Sequence, residues 1–468
     1  MIPLIGALVI GLFISMLFWL DRDNARISKA TWIPTCWLLI ASSRPISEWL
    51  GVSSGSDAYV EGSPLDRNIL TALLIAGLVV LFRRGTRVSE IVRANWPIIL
   101  YFAYCGISLF WSDFPFVVLR RWFRSVGDLV MILVVITDPA WTDALKRLLT
   151  RISSVLIPLS ILLIRCFPSL GRRYSVGGAP QWTGVGSDKN ALGMLCMIYG
   201  VSLLWRGITV YLDRSTPHRS RQLTTIGLIF MMDLYLILVA DSQTALSCFL
   251  MANLLIIVTA LFKAFRRPAL VSLLVAAMLS VAFCALFLGI GSSALSSLGR
   301  NASLTGRTDV WQVILPFATN PLVGAGYENF WIGDRLEAFK RIGLGGLNQA
   351  HNGYIEIYLN IGWVGLVILG IVIVAGYRDI MKGFRYRNPE MTRLRLAYFF
   401  ICLVYNFTEA SFKMMSPVWM MFLWSVMVTR KVEADKVVPR LKKRTHANIE
   451  VFSNEPGPGV IEHPVVPV

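Results

Sequence analysis

His351 is the residue of this sequence best placed to move a proton. It closes a long polar stretch, 291–353, and is followed at once by Asn352 and the apolar run YIEIYLNIGWVGL. Asn is a favoured helix N-cap, so the imidazole should stand at the head of a helix. The positive end of the helix dipole there favours the neutral ring, which is the form that accepts a proton near pH 7. The alternative is a histidine that only hydrogen-bonds within its loop. The other three, His218, His446 and His463, fall in a basic loop and in the polar tail.

Cations supply the second chemistry. One population sits in short clusters between apolar runs: Arg83, Arg84, Arg87 and Arg93; Lys146, Arg147 and Arg151; Arg214, Arg219 and Arg221; Lys263, Arg266 and Arg267; and the six basic residues of 376–395. With alternating helices all of these share one side, which the positive-inside rule makes cytoplasmic. A second population lies on the side that the rule should leave poor in positive charge. It comprises Arg120, Arg121 and Arg124, whose spacing gives them a common helical face, Arg172, Arg173 and Lys189, and Arg300, Arg307, Arg335, Lys340 and Arg341. Cations placed against the bias fit a polyanion such as a phosphate ester, which arginine grips through paired hydrogen bonds. They fit equally a role as partners for the acids nearby, Asp113, Asp188, Asp309, Glu328, Asp334 and Glu337.

These residues must be held by membrane helices. The chain has 468 residues, 55% hydrophobic and only 16% charged, against about 25% charged in soluble domains. A soluble enzyme, a disordered chain and a disulfide framework are thereby excluded. The net charge of +17 is dispersed between apolar runs, which argues against a nucleic-acid face. Apolar runs lie near 2–20, 68–82, 95–111, 125–137, 153–167, 190–206, 223–240, 245–262, 269–290, 354–375, 394–408 and 414–429, and a shorter one near 31–43 makes the count 12 or 13. Spans of this kind pair their backbone internally, so the expected fold is all-α, a polytopic helix bundle over 1–430. The first run lacks a basic region and a cleavage site and reads as a retained helix. The segments 42–67, 168–189 and 291–353 fall on the side poor in positive charge. Within the last, Val310, Trp311, Ile314, Leu315 and Phe317 predict an amphipathic helix at the outer interface. The polar tail 431–468 reads as disordered and cytoplasmic.

Other motifs are weak. The seven cysteines are isolated, without Cys/His spacing for zinc. Asp21-Arg22-Asp23 has metal-like spacing but abuts a helix end where solvated charges are ordinary. There is no phosphate-binding P-loop and no HExxH or GxSxG. Asp128 and Asp233 fall inside apolar runs, where a carboxylate is a functional suspect.

The stretch GRTDVWQVILPFATNPLVGAGYENFW, continued by QAHNGYIEIYLNIGWVGL, resembles the signature region of the O-antigen ligase and O-antigen polymerase superfamily. Its elements are an arginine-tryptophan helix, a Pro-x-x-Gly-x-Gly turn and a His-Asn pair heading a membrane helix. SLFWSDFPFVVLRRWFRSVGDL and GVGSDKNALG resemble upstream blocks, so the likeness spans most of 40–410. It implies a GT-C-like membrane glycosyltransferase in the bacterial inner membrane, active on the periplasmic face. Such enzymes move glycan from an undecaprenyl-pyrophosphate carrier to an acceptor hydroxyl, with inversion and with no metal, nucleotide or other cofactor. The family histidine falls on His351 and the family arginine on Arg307, with Asn352 and Gln243 positioning the acceptor or the loop. Where the family often has Ser-Arg after a short outer turn, this chain has DSQTAL, with Gln243 in the arginine's place. The pyrophosphate would then be held by Arg307, Lys189, Arg121, Arg124 and Arg300. Otherwise the chain joins the subgroup resembling succinoglycan-type exopolysaccharide polymerases, the favoured reading. The rivals are an O-antigen ligase acting on lipid A-core and a transporter or flippase of the same lipid-linked glycan. Implied partners are the lipid-linked oligosaccharide, membrane lipid and other polysaccharide export components, with no nucleic acid.

Overall fold

The computed structural model describes residues 2–20, 27–52, 63–175, 178–287, 305–343, 347–386 and 389–428. Arg300, the Asp21-Arg22-Asp23 triplet and the tail 431–468 lie outside the described residues. The described helices of eight residues or more, in chain order, are α1 (Ile2–Leu20), α2 (Trp32–Ala41), α3 (Pro64–Arg83), α4 (Gly85–Ala94), α5 (Trp96–Ile107), α6 (Pro115–Ile136), α7 (Trp141–Cys166), α8 (Lys189–Leu212), α9 (Arg219–Val239), α10 (Gln243–Leu261), α11 (Pro268–Phe287), α12 (Thr305–Ile314), α13 (Asp334–Arg341), α14 (Gly353–Tyr386), α15 (Pro389–Tyr405) and α16 (Pro417–Val426). One small antiparallel hairpin, β1 (Arg172–Tyr174) with β2 (Pro180–Trp182), interrupts them. The protein is an all-α polytopic membrane protein.

Each of the thirteen apolar runs is helical, but the helices differ from the runs in length. Among the described residues, six are long and apolar enough to cross a bilayer: α3, α7, α8, α9, α10 and α14. Others are short, such as α16, whose ten residues rise about 15 Å against roughly 30 Å of hydrocarbon. All ten are buried, so protein surrounds this helix where lipid would leave its ends unpaired. Several helices also run beyond their apolar window. α7 begins at Trp141, so Lys146, Arg147 and Arg151 lie on its first turns, and α14 carries Arg378, Lys382 and Arg385 to Tyr386. Long basic side chains can bury their stems and keep their charge at an interface, which an apolar window does not register.

Contacts between helix ends define two ends of the bundle. At one, Arg84 pairs with Asp138 at 3.3 Å, Lys146 with Glu390 at 2.8 Å, and Asn95 exchanges two hydrogen bonds with Val428. The basic clusters read as cytoplasmic gather here. At the other end, Arg44, itself 5% exposed, donates to the carbonyls of Leu170, Gly184 and Gly186 and to Thr183, and Asp66 takes both donors of Ser47. The long segments 42–67 and 168–189 therefore meet. α1 starts at this second end, since a side chain on Gly6 would strike Cys166, whereas Trp19 accepts from Arg221 at the first.

α14 is broken at Gly362 (φ +67°, ψ −169°). The loop after Pro321 fills the break: Trp363 and Val364 donate to the carbonyls of Pro321 and Leu322, while Ala325 and Gly326 donate to those of Leu359 and Asn360. This explains the Pro-x-x-Gly-x-Gly turn. A Cβ on Gly324 would lie 2.5 Å from the Asn360 carbonyl carbon, and one on Gly362 would lie 2.2 Å from the Leu322 oxygen. Neither position admits a side chain.

The amphipathic helix forms as α12, with a different role for its face. Ile314 is fully buried in a satellite core with Phe330, Trp331, Phe339 and Leu359, and Val310, Trp311 and Phe317 pack against it. The apolar stripe thus seals the signature loop onto α14, and only Leu315, at 40% exposure, faces outward.

Candidate functional site

The site lies at the second end, where α8, α10 and α14 begin and α15 turns into α16. Asn352 caps α14 as expected, its Oδ1 accepting from the N–H groups of Tyr354 and Ile355 at 2.9 and 3.1 Å. The residue before His351 is fixed on both sides. Ala350 donates its N–H to Glu356 Oε2 at 2.8 Å and accepts from Trp311 Nε1 at 2.8 Å. Glu356 in turn accepts from Trp331 Nε1 at 2.5 Å. The arginine-tryptophan helix and the loop aromatic therefore set where His351 stands.

The imidazole, 32% exposed, faces Glu409, whose side chain is 9% exposed, with Nδ1 3.4 Å from Oε2. The other carboxylate oxygen receives Arg307 Nη2 at 3.0 Å and Asn190 Nδ2 at 3.4 Å. A carboxylate only accepts, so a neutral ring in contact through Nδ1 carries its proton there and keeps its lone pair on Nε2. A carboxylate thus faces the ring directly. The helix end expected to dominate is already capped by Asn352.

Glu409 is the candidate site residue that sequence reasoning missed. It is held by Asn406, fully buried, whose Oδ1 accepts from the N–H groups of Ser411 and Phe412 at 2.9 and 3.0 Å. Gly353 donates to the Asn406 carbonyl, and Asn352 Nδ2 to that of Phe407 at 3.2 Å. The link 405–417 and the head of α14 are therefore tied together.

The other expected residues separate into two groups. Lys189 opens α8, capped by Asp188, and meets Asp241 at 3.5 Å. Gln243 donates to the other oxygen of the same Asp241 at 3.3 Å, and Thr408 bonds Thr244 at 3.0 Å. Lys189, Gln243, Arg307, His351 and Asn352 thus assemble around the 405–417 link. Arg121 and Arg124 lie on α6 instead, where Arg121 donates to the Glu328 carbonyl. Lys413, on the same link, approaches Gln349 at 3.4 Å and acts electrostatically on Glu328. Glu328, half-buried in its loop, is pushed up to about 7 by burial and by Glu356, against the pull of Lys413 and Arg121. For other outer cations the neutralising partners are real: Arg335 meets Asp113 at 3.0 Å and Lys340 meets Glu337 at 2.8 Å.

Backbone geometry marks the same end. Five described non-glycine residues have positive φ, and four of them, Asp241, Glu328, His351 and Met415, belong to these loops. Each such conformation costs about 1–3 kcal/mol and persists only where surrounding contacts hold it, typically at functional sites. Met415 is held by Asp128, whose buried carboxylate accepts from its N–H at 2.9 Å and from Trp37 Nε1 at 2.8 Å. That assigns partners to one of the two carboxylates in apolar runs. A cavity of about 200 Å³ at the opposite end has its cations, Lys146, Arg147 and Arg206, balanced by Asp143, Asp213 and Glu390.

An imidazole with one nitrogen facing a carboxylate, beside a half-buried arginine, can take a proton at the other nitrogen from a hydroxyl next to an anion. Residues 227–370 match the sequence model of the O-antigen ligase family. This stretch includes Asp241, Gln243, Arg307, His351 and Asn352, but not Lys189 or Glu409. The exopolysaccharide production protein ExoQ of Rhizobium meliloti (strain 1021) is 34% identical over 104 residues, 20% of this chain. The match spans 24% of that relative's length.

Proposed function

We propose, from the match to the O-antigen ligase family and from an arginine and a histidine that share one carboxylate, that this protein polymerises polysaccharide repeat units. The donor is a glycan on undecaprenyl pyrophosphate, and the reaction is an inverting glycosyl transfer without metal on the periplasmic face of the inner membrane. Likeness to an exopolysaccharide production protein supports polymerase over ligase.

In this reading His351 Nε2 takes the proton of the acceptor hydroxyl, worth about 10²–10⁴ in rate. The hydroxyl oxygen bonds to the donor's anomeric carbon while the carbon–phosphate oxygen bond breaks, and the diphosphate leaves with the electron pair. Arg307 and Lys189 stabilise that charge as it develops. Asn190 and Glu409 hold the arginine and the ring in register. The observation that carries the reading is the shared carboxylate: Arg307 and His351 come from segments 44 positions apart, and Glu409 brings both to one point.

The test is incubation of purified protein with a synthetic undecaprenyl-pyrophosphate-linked repeat, followed by mass analysis. Products of two or more repeats are expected, and His351→Ala should form none while remaining inserted and folded. Polymer of normal amount and length from His351→Ala would overturn the assignment of the base. Transfer only to lipid A-core would make the protein a ligase. Movement of the substrate with no new glycosidic bond would make it a transporter.

A further inference from the structure

The break in α14 divides a surface as well as a helix. In the short half, 353–361, no residue is exposed. The signature loop clads it: Glu356 bonds Trp331 and Ala350, and Asn360 Oδ1 accepts from the Phe330 N–H at 3.0 Å. Exposure begins abruptly at Trp363 and recurs at Val364, Val367, Ile371, Val374 and Arg378, the spacing of one helix face. That face is aliphatic between an indole, 56% exposed, and a guanidinium. Tryptophan is enriched where hydrocarbon meets water, and arginine buries its stem in the apolar layer while its charge stays outside. From Trp363 to Arg378 the helix rises about 22 Å. The arginine's stem extends this face toward the roughly 30 Å of a hydrocarbon core.

We infer that the outer boundary of the hydrocarbon lies at this break, and that Trp363 rests on membrane lipid there together with Leu322 and Phe110. The loop supplies an independent reason. Asn320, Pro321 and Leu322 are exposed and non-helical, and the carbonyls of Pro321 and Leu322 meet α14 at Trp363 and Val364. Lipid-exposed irregular backbone does not occur within hydrocarbon, where its polar groups would stay unpaired. The apolar core of the bilayer therefore stops at this level, although the run 354–375 continues past it. α5 ends here too: Tyr104 donates to the Ile361 carbonyl at 3.2 Å and Trp111 to that of Val323 at 3.1 Å. Leu322 and Phe110, 62% and 80% exposed, add apolar surface at the same level. The short half then stands among the lipid headgroups, its head no more than about 15 Å from the boundary, and His351 stands with it. For the transferase reading above, which this placement does not need, the reacting bond lies outside the hydrocarbon.

The experiment reconstitutes the full chain in vesicles of phosphatidylethanolamine and phosphatidylglycerol. In separate proteins a nitroxide replaces the side chain of Trp363, Val364, Val367, Ile371 or Val374. Coupling through an encoded azido residue leaves the seven cysteines untouched, and each position is exposed, so the label displaces no packing; thermal melting checks the fold. Collision with oxygen, which concentrates in hydrocarbon, is measured against collision with a water-soluble nickel chelate. The ratio of oxygen to nickel should be lowest at Trp363 and greatest at Ile371, midway along the face. A maximum at Val364, the centre of the continuous run 354–375, would shift the bilayer midplane by about 10 Å, put the break in mid-membrane and overturn the inference. So would weak collision with both reagents all along the face, because protein would then cover it in place of lipid. No turnover is read, so failure of glycosyl transfer in the purified assay leaves this result standing, and the reverse holds.

Discussion

Replacing Glu409 by Gln keeps the shape of the side chain and removes its charge. In the wild type one oxygen faces His351 Nδ1 at 3.4 Å and the other accepts from Arg307 at 3.0 Å and Asn190 at 3.4 Å. An amide has one acceptor and one donor end, so it cannot serve both sides. With its NH₂ toward Arg307, donor meets donor and a charge-assisted bond of about 1.5–3 kcal/mol is lost. With its NH₂ toward His351, Nδ1 must become an acceptor, the proton moves to Nε2, and the ring can no longer take one from the acceptor. At 1.36 kcal/mol per tenfold, the first orientation costs about 10–150-fold and the second most of the general-base contribution of about 10²–10⁴. A fall in kcat on the order of 10²-fold is therefore expected, with a smaller change in KM. The assay is single-turnover transfer of radiolabelled repeat from undecaprenyl pyrophosphate by purified protein. A Glu409→Gln protein that melts normally and turns over within threefold of wild type would refute the shared-carboxylate reasoning.

Gly362→Ala adds a Cβ 2.2 Å from the Leu322 carbonyl, at a φ and ψ that side chains avoid; strain and overpacking together should cost about 3 kcal/mol. Thermal unfolding in detergent should shift down by several degrees, and an unchanged melt would show that the loop does not fill the break. Glu328, raised to about 7 from an ordinary carboxyl value of 4.5, binds its proton more tightly folded than unfolded. Its contribution favours folding below pH 4.5 and is lost as pH rises toward 7. Glu328→Gln should abolish that decline, worth on the order of 1–3 kcal/mol. A wild type equally stable at pH 5 and pH 8 would contradict the raised value.

Much of the architecture was legible because hydropathy reports burial in lipid directly. All thirteen runs became helices, and the Asn352 cap and the α12 helix follow from local spacing. What stayed hidden depends on contacts far apart in sequence. Glu409 is a lone acid in a short link between two apolar runs, with no spacing to recommend it, and it reaches His351 across 58 positions. Hydropathy cannot show the break at Gly362, because the run 354–375 is continuous and the interruption is backbone geometry stabilised by a loop some 40 residues earlier. Loop charge likewise groups Arg121 and Arg124 with Arg307, whereas packing on α3 draws them to another flank. Gln243, which departs from the expected arginine, shares Asp241 with Lys189, a neighbourhood that sequence alone did not reveal.

The interruption in α14 has a mechanical meaning. Residues 353–361 form a short half-helix whose far end is stitched to the 321–326 backbone, so its rotation and depth are referenced to that loop. The longer half from Trp363 onward is fixed separately, by the buried pair of Asp379 with Arg395 at 3.1 Å and the close approach of Gly376 to Val426. One residue inserted into the short half would swing His351 by about 100° around the axis, away from Glu409. The same insertion beyond Gly362 would fall on that packing instead, and His351 would keep its bearing.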